Sequence, residues 1–226
     1  MLPDLLTNPT WHTLTGPHAA HAIGHAGARR YAPGFAPLIA FADPQRPDFE
    51  ALRPHTNPGE ALYCDGWGGV VPAGWRVESE IELDRMLWQG GPAPLENLTG
   101  LVRLGPEHRE AVLTLAASTH PGPFGERFTE LGEFLGCFEQ GRLIAMAGER
   151  LQCGPFREIC SVATAPEHQG RGLARRLTAL LIQHQLARGE TPLLHVRRGN
   201  DVASGLYERM GFARVLTVPG RIVKAD

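Results

Sequence analysis

The feature that most constrains this chain is a long amphipathic stretch set between two β-rich runs near its C-terminal end. Leu173, Leu177, Leu180 and Leu181 recur at i, i+4, i+7 and i+8, which places one apolar stripe on a helix ending near Gly189. FREICSVAT, ending at Thr164, precedes that helix, and LLHV at 193–196 follows it. A strand, a helix of about five turns and a second strand form a βαβ unit, with a right-handed crossover and parallel strands. The loop that enters the helix is therefore the place to look for chemistry.

Upstream, LVRL from Leu101 reads as a strand, and PEHREAVLTLAAS as a helix with Pro106 in its first turn and acids early. EFLGCFEQ and RLIAMAGERLQ are β-rich and meet around Gln140 and Gly141, which predicts a hairpin. The first hundred residues differ in construction. They hold 12 of the 19 prolines and all four tryptophans (Trp11, Trp67, Trp75, Trp88), and short runs such as AFAD and ALYCDGW sit between Pro and Gly breaks. Short strands and turns with few long helices are expected there. A boundary is placed at QGGPAPLENLTG, dividing a β-rich part, 1–99, from a second domain, 100–226.

With 22 Lys and Arg against 24 Asp and Glu, the net charge is −2, so no overall basic field is available to hold nucleic acid or an anionic membrane. No apolar run approaches the roughly 18 residues that cross a bilayer, and MLPDLL has an acid where a signal peptide is basic. A soluble, cytoplasmic protein is expected. Cys64, Cys137, Cys153 and Cys160 form no CxxC pair, which argues against a zinc knuckle, a redox dithiol or a disulfide scaffold and suits a reducing compartment.

The helix-entry loop reads Ala165-Pro166-Glu167-His168-Gln169-Gly170-Arg171-Gly172-Leu173-Ala174. Small residues at Gly170, Gly172 and Ala174 leave backbone N–H groups open at the positive end of the helix dipole, where a pyrophosphate can accept several hydrogen bonds. Arg171 and Arg175 add positive charge. A tight turn into a packed helix is the plainer alternative. The early G-x-G-x-x-G with a following acid and the Gly-Lys-Ser/Thr of a P-loop are both missing.

Gln-x-x-Gly-x-Ala after a strand, followed by NDVASGLYERMGF at 200–212, resembles the GCN5-related N-acetyltransferase (GNAT) superfamily. PGPF at 121–124, AMAGER at 145–150 and EICSVATAPEHQGRGLA at 158–174 resemble its FR47-like branch. The likeness covers residues 101–226. It implies an α/β (α+β) GNAT fold, with a mixed central β-sheet flanked by helices. The N-terminal half would be a β-rich or degenerate GNAT-like unit without its own glycine turn.

The resemblance also implies that the two parallel strands splay at a bulge and that the pantetheine arm of acetyl-CoA pairs with Val162, Ala163 and Thr164. The pyrophosphate would lie on the turn from Gln169 through Gly170, Arg171, Gly172, Leu173 and Ala174 to Arg175, and Asn200, seven residues before Tyr207, would meet the cosubstrate. Acylating an amine needs that amine neutral, against a reference pKa near 10, and needs a proton for the departing thiolate. Tyr207 matches the family's general acid, and Glu158, 11 residues before Gln169, matches the glutamate base of some members. A strand-end ion pair is the alternative role for Glu158, and Glu149 is the reserve candidate.

Cys160 shares a strand face with Glu158 unless a bulge intervenes, but no His and acid constellation accompanies it, so direct transfer is expected over an acyl-cysteine. His12, His18, His21 and His25 lack metal-ligand spacing, and no metal site is assigned. His168 adjoins the phosphate turn, whereas His195 reads as a packed or hydrogen-bonded strand residue. The acceptor is expected over Ser118–Phe128, with His120, Pro121, Pro123, Phe124 and Phe128 as lining and the N-terminal tryptophans as a possible closure. The expected activity is acetyl-CoA-dependent N-acetylation of a small-molecule amine or amino-acid-like acceptor by a monomer or homodimer. A non-catalytic acyl-CoA-binding sensor is the alternative.

Overall fold

The computed structural model describes residues 4–90 and 100–226, so the boundary segment at 91–99 lies outside the described residues, as do Met1, Leu2 and Pro3 of the MLPDLL start. In the N-terminal part, α1 (Pro9–Thr15) and α2 (Phe49–Leu52) accompany β1 (Ala22–Gly24), β2 (Ala28–Tyr31), β3 (Leu38–Phe41) and β4 (Leu62–Asp65). The Pro and Gly breaks keep these strands to three or four residues. A departure from that pattern follows, because β5 (Trp75–Trp88) runs for 14 residues.

Its sequence hides it. Glu78, Glu80 and Glu82 alternate on one face and look like a solvated acidic run. In the fold each meets a cation from a later segment: Lys224 Nζ donates to Glu78 at 2.6 Å, Arg221 Nε to Glu80 at 2.5 Å and Arg198 Nη1 to Glu82 at 3.0 Å. Such pairs contribute little each, but they permit three acids on one strand face.

The C-terminal part contains β6 (Leu101–Arg103), α3 (Arg109–Thr119), β7 (Phe134–Glu139), β8 (Arg142–Cys153), β9 (Phe156–Thr164), α4 (Leu173–Ala187), β10 (Thr191–Arg197), α5 (Asp201–Arg209) and β11 (Phe212–Ala225). The β7–β8 hairpin turns at Gln140 and Gly141, both at positive φ, as the sequence led us to expect. Strands β9 and β10 are parallel across α4. The sheet order is β1-β2-β3-β4-β11-β5-β10-β9-β8-β7-β6. Strand β5 thus lies between β11 and β10, and one mixed sheet flanked by helices runs through both parts of the chain. Among the described residues, no helix is long and apolar enough to cross a membrane.

The apolar stripe of α4 buries Leu173, Leu177, Leu181 and Ile182 against Ile144, Ile159, Leu194 and Met86 of the sheet, with Phe212 and Tyr207 closing one end. A second cluster in the N-terminal part gathers Phe41, Phe49, Trp67 and Trp75 with Leu62 and Val223. The first cluster is what fixes the start of α4 beside the end of β9. Leu177 is fully buried, so Leu177→Ala should cost about 3 kcal/mol, within the 2–5 kcal/mol usual for such cavities. A thermal melt should show Tm lower by about 6–12 °C.

Candidate active site

Hydrogen-bond register decides where this sheet opens. The parallel ladder between β9 and β10 runs from Phe156 opposite Thr191 to Ile159 opposite Leu194 and stops, although both strands continue. On the other edge of β9 the register to β8 slips between Cys160 and Ala163, and Ser161 takes φ +52°, a bulge. Beyond it, the β10-facing edge of Val162, Ala163 and Thr164 has no ladder partner among the described residues. Strand β9 then leads through a 3-10 turn, Pro166–His168, to the glycine turn.

Gly170 and Gly172 both sit at φ +74°, where only glycine rests without strain. A Cβ built on either would meet nothing within 4 Å, so the space above the turn is open. The first backbone hydrogen bond of α4 runs from Arg176 N–H to the Gly172 carbonyl at 3.1 Å. The amides of Leu173 and Ala174 therefore have no acceptor within the helix. Gln169 Nε2 donates to the Thr164 carbonyl at 3.4 Å, and the Leu173 side chain belongs to the core. Arg171 donates to Glu139 at 2.8 Å and to His168 Nδ1 at 2.6 Å, so its charge is turned toward β7.

Where β9 and β10 part, a cavity of about 480 Å³ opens between the two parts of the chain. Glu158, Cys160, Val162, Asn200 and Tyr207 all line it. Ala163, Thr164 and the glycine turn lie outside its lining and continue from it along β9 to the head of α4.

Asn200, on the cavity lining, is the N-cap of α5, its Oδ1 accepting from Ala203 N–H at 3.2 Å. Two turns on, Tyr207 is 7% exposed and packs edge-to-face on Phe212. Burial, with Cys160 nearby, pushes its phenol up to about 12. It is a neutral donor at every physiological pH.

Glu158 is almost wholly enclosed and saturated. Arg150 Nε and Nη2 donate to its two oxygens at 3.0 and 2.8 Å, Leu151 N–H at 3.3 Å, and His195 Nδ1 at 2.8 Å. Burial alone would raise its pKa, but Arg150 and His195 overcome that and hold the carboxyl below the ordinary carboxylate range. Such a carboxylate has no lone pair left to receive an amine proton. Arg85 Nε donates to His195 Nε2 at 2.8 Å, which fixes the imidazole as the neutral Nδ1–H tautomer. Arg85 itself is fully buried and pairs with Asp65 of β4 and the Leu6 carbonyl.

Glu149 sits elsewhere. Burial works to raise its pKa, yet Arg157 at 3.1 Å, Gln185, Arg188 and the Glu133 amide outweigh it and lower the value. Burial pushes the Cys160 thiol up to about 12, so it is no nucleophile. Among the described residues, no group of three or more His, Cys, Asp or Glu is placed to hold a metal. His18 instead shares a hydrogen with the Tyr31 hydroxyl at 2.8 Å, and burial drops its pKa to about 4.

The acceptor segment reaches the cavity through Thr119, His120, Pro121, Gly122 and Pro123, whereas Phe124 and Phe128 pack away from it around Phe134. The N-terminal part also lines it, with Thr10, Tyr63, Asp65, Ser79 and Ile81. Its tryptophans do not: Trp67 and Trp75 are core. Sequence reading missed Arg150, Arg85 and Asp65, and gave His195 no place in the site. The one available trace was a charged residue at an inward strand position, which period-2 patterning leaves visible at Arg85 only once the strand is known.

The FR47-like protein family matches residues 134–218. A putative acetyltransferase from the GNAT family of Novosphingobium aromaticivorans is 32% identical, with 98% of each chain covered and a TM-score of 0.89. A GCN5-related N-acetyltransferase from Kribbella flavida, 16% identical over 99% of this chain and 95% of its own, has a TM-score of 0.65 and shares the fold. The N-alpha-acetyltransferase RimI of Mycobacterium tuberculosis is 40% identical over 85 residues, 36% of this chain and 52% of that protein. The mycothiol acetyltransferase of Thermobispora bispora is 40% identical over 62 residues, 27% of this chain and 21% of that one. The chain thus spans about half or less of the length of these two curated relatives.

Removing the charge at the centre of the cavity gives a direct measure of its cost. Glu158→Gln strands a buried Arg150 and should destabilise by about 3–5 kcal/mol. Because the folded pKa lies below the ordinary 4.5, the stabilisation is complete above pH 4.5 and drains as pH falls toward the folded value. Urea titrations at stepped pH should show the wild-type advantage over Glu158→Gln shrinking below pH 4.5.

Proposed function

Because this chain belongs to the GNAT family of acetyltransferases, we propose that it moves the acetyl group of acetyl-CoA to the amine of a small-molecule acceptor by direct attack. The observation that carries this reading is the Tyr207 phenol, buried yet opening on a cavity at the point where β9 and β10 part. A proton donor held neutral there suits a departing thiolate, and a thioester lying along Val162, Ala163 and Thr164 would bring its sulfur toward that cavity.

The glycine turn suits the diphosphate of acetyl-CoA: the Leu173 and Ala174 amides lack acceptors within the helix, and among the described residues nothing fills the space above Gly170 and Gly172. In this reading Gln169 ties the turn to β9, while Gly170, Arg171, Gly172, Leu173, Ala174 and Arg175 contribute backbone N–H groups, and Asn200 offers its side-chain amide. Glu158 keeps a place in the site as the ion that orders Arg150 and His195 rather than as the group that deprotonates the amine. Walls from both parts of the chain support a small acceptor over an extended peptide, because β4 and β5 stand where a groove would otherwise run on. In this arrangement residues 1–99 serve as the acceptor-side unit and 100–226 as the acetyltransferase domain. Four free cysteines support a cytoplasmic placement.

Two variants test the halves of the reaction separately. Tyr207→Phe should lower kcat by about 10²-fold with the acetyl-CoA Kd unchanged, read by thiol release and by calorimetry. Gly172→Glu, which sets a side chain and a negative charge over the open turn, should abolish acetyl-CoA binding and its thermal shift while the unliganded protein still melts cooperatively. Tight acetyl-CoA binding with no amine-dependent thiol release from the wild type would mark a sensor and not an enzyme.

A further inference from the structure

The segment leaving α3 carries a side chain that the site has not yet used. His120 takes φ +48° and ψ +59°, the left-handed conformation, and its N–H caps α3 on the Ala116 carbonyl at 2.9 Å. Glycine occupies that helix-end position at least conformational cost, so a histidine is held there against the backbone preference. Pro121, Gly122 and Pro123 follow, and Arg150 Nη1 donates to the Pro123 carbonyl at 3.1 Å, which ties this stretch to the Glu158 cluster. The ring lines the cavity and, among the described residues, makes no hydrogen bond or ion pair.

Among the described residues, each other base facing the cavity already accepts at least one hydrogen bond. Glu158 accepts from Arg150, Leu151 and His195, and His195 accepts from Arg85 on its only lone pair. Asp65 accepts from Thr10 and Arg85. Burial holds the thiols of Cys64 and Cys160 neutral, and Tyr63 and Tyr207 present phenols. The remaining charged groups on the lining, Arg197 and Arg221, are cations.

We propose that His120 is the catalytic residue that takes the proton of the attacking amine, a role that rests on the acetyl-transfer reading above. One proton of the acceptor ammonium passes to the His120 imidazole, which is exposed and hands it to water. The freed nitrogen bonds to the thioester carbonyl carbon as the carbon–sulfur bond breaks. The second proton leaving that nitrogen replaces the one Tyr207 gives to the departing sulfur. The sum is amide, free thiol and one proton released.

The test uses the full chain with acetyl-CoA and a panel of small primary amines: the standard amino acids, tyramine and spermidine. On the best amine, His120→Gly should lower kcat/KM by about 10²–10³-fold and leave the acetyl-CoA Kd within twofold. The same variant should melt at or above the wild-type Tm, since glycine suits the left-handed turn, so lost activity cannot be ascribed to lost fold. Asn also tolerates that conformation and cannot shuttle the proton, so His120→Asn repeats the test should the glycine variant fail to fold. Independently of turnover, the His120 ring resonance in a proton NMR titration should shift when the amine is added to the protein without acetyl-CoA. Activity within threefold of wild type in either folded variant overturns the role. Wild-type protein that binds acetyl-CoA yet releases no thiol with any amine overturns the acetyl-transfer reading itself, and the role of His120 with it.

Discussion

The carboxylate of Glu158 is the charge around which this cavity is built. Burying an ion costs several kcal/mol even after relaxation, and the cost is met only where geometry and hydrogen bonds are complete. Here the Arg150 fork, the Leu151 amide and the His195 imidazole supply four donors to two oxygens. The donors come from β8 and β10 while the carboxylate is on β9, so the ion cluster holds the three strands in one arrangement. Arg85 carries the chain of contacts on to β5, to Asp65 on β4 and to the Leu6 carbonyl. The N-terminal part is thereby registered on the site by charge as well as by the sheet.

That rigidity permits an opening beside it. A non-glycine residue at φ +52° costs about 1–3 kcal/mol, and Ser161 bears that cost next to the Glu158 cluster. The β9–β10 ladder stops at Ile159, just before that bulge, although both strands continue. The phenol of Tyr207 lines the cavity, and beyond the end of β9 comes the glycine turn at the head of α4. Residues of β4, β5 and the His120 segment also line it, and Arg150 Nη1 donates to the Pro123 carbonyl of that segment. Tyr207 and His120 both line this cavity, one as a buried phenol and the other as an exposed imidazole.

Much of the C-terminal part was legible because local rules agree there. The α4 stripe, the hairpin at Gln140 and Gly141, and the glycines at positive φ each follow from periodicity or turn chemistry within a dozen residues. Tyr207 is buried beside Phe212, and a Cβ at Gly170 or Gly172 would meet none of the described residues within 4 Å. Strand β5 was not legible, since its acids find their cations more than a hundred residues away at Arg198, Arg221 and Lys224. Glu158 was visible as a residue but not in its condition: nothing local announces that Arg150 and His195 will consume its lone pairs.

What the sequence by itself determined is the βαβ unit, the glycine turn that starts its helix and the tyrosine two turns into α5, because short-range sterics and side-chain period specify all three. What only the tertiary structure decided is which ionisable groups can exchange a proton. That property depends on the donors arrayed around each group, and those donors arrive from strands far apart in the chain. Glu158 is held ionised and His195 is fixed in one tautomer by Arg150 and Arg85, while His120 is left with its lone pair by the absence of any such neighbour among the described residues.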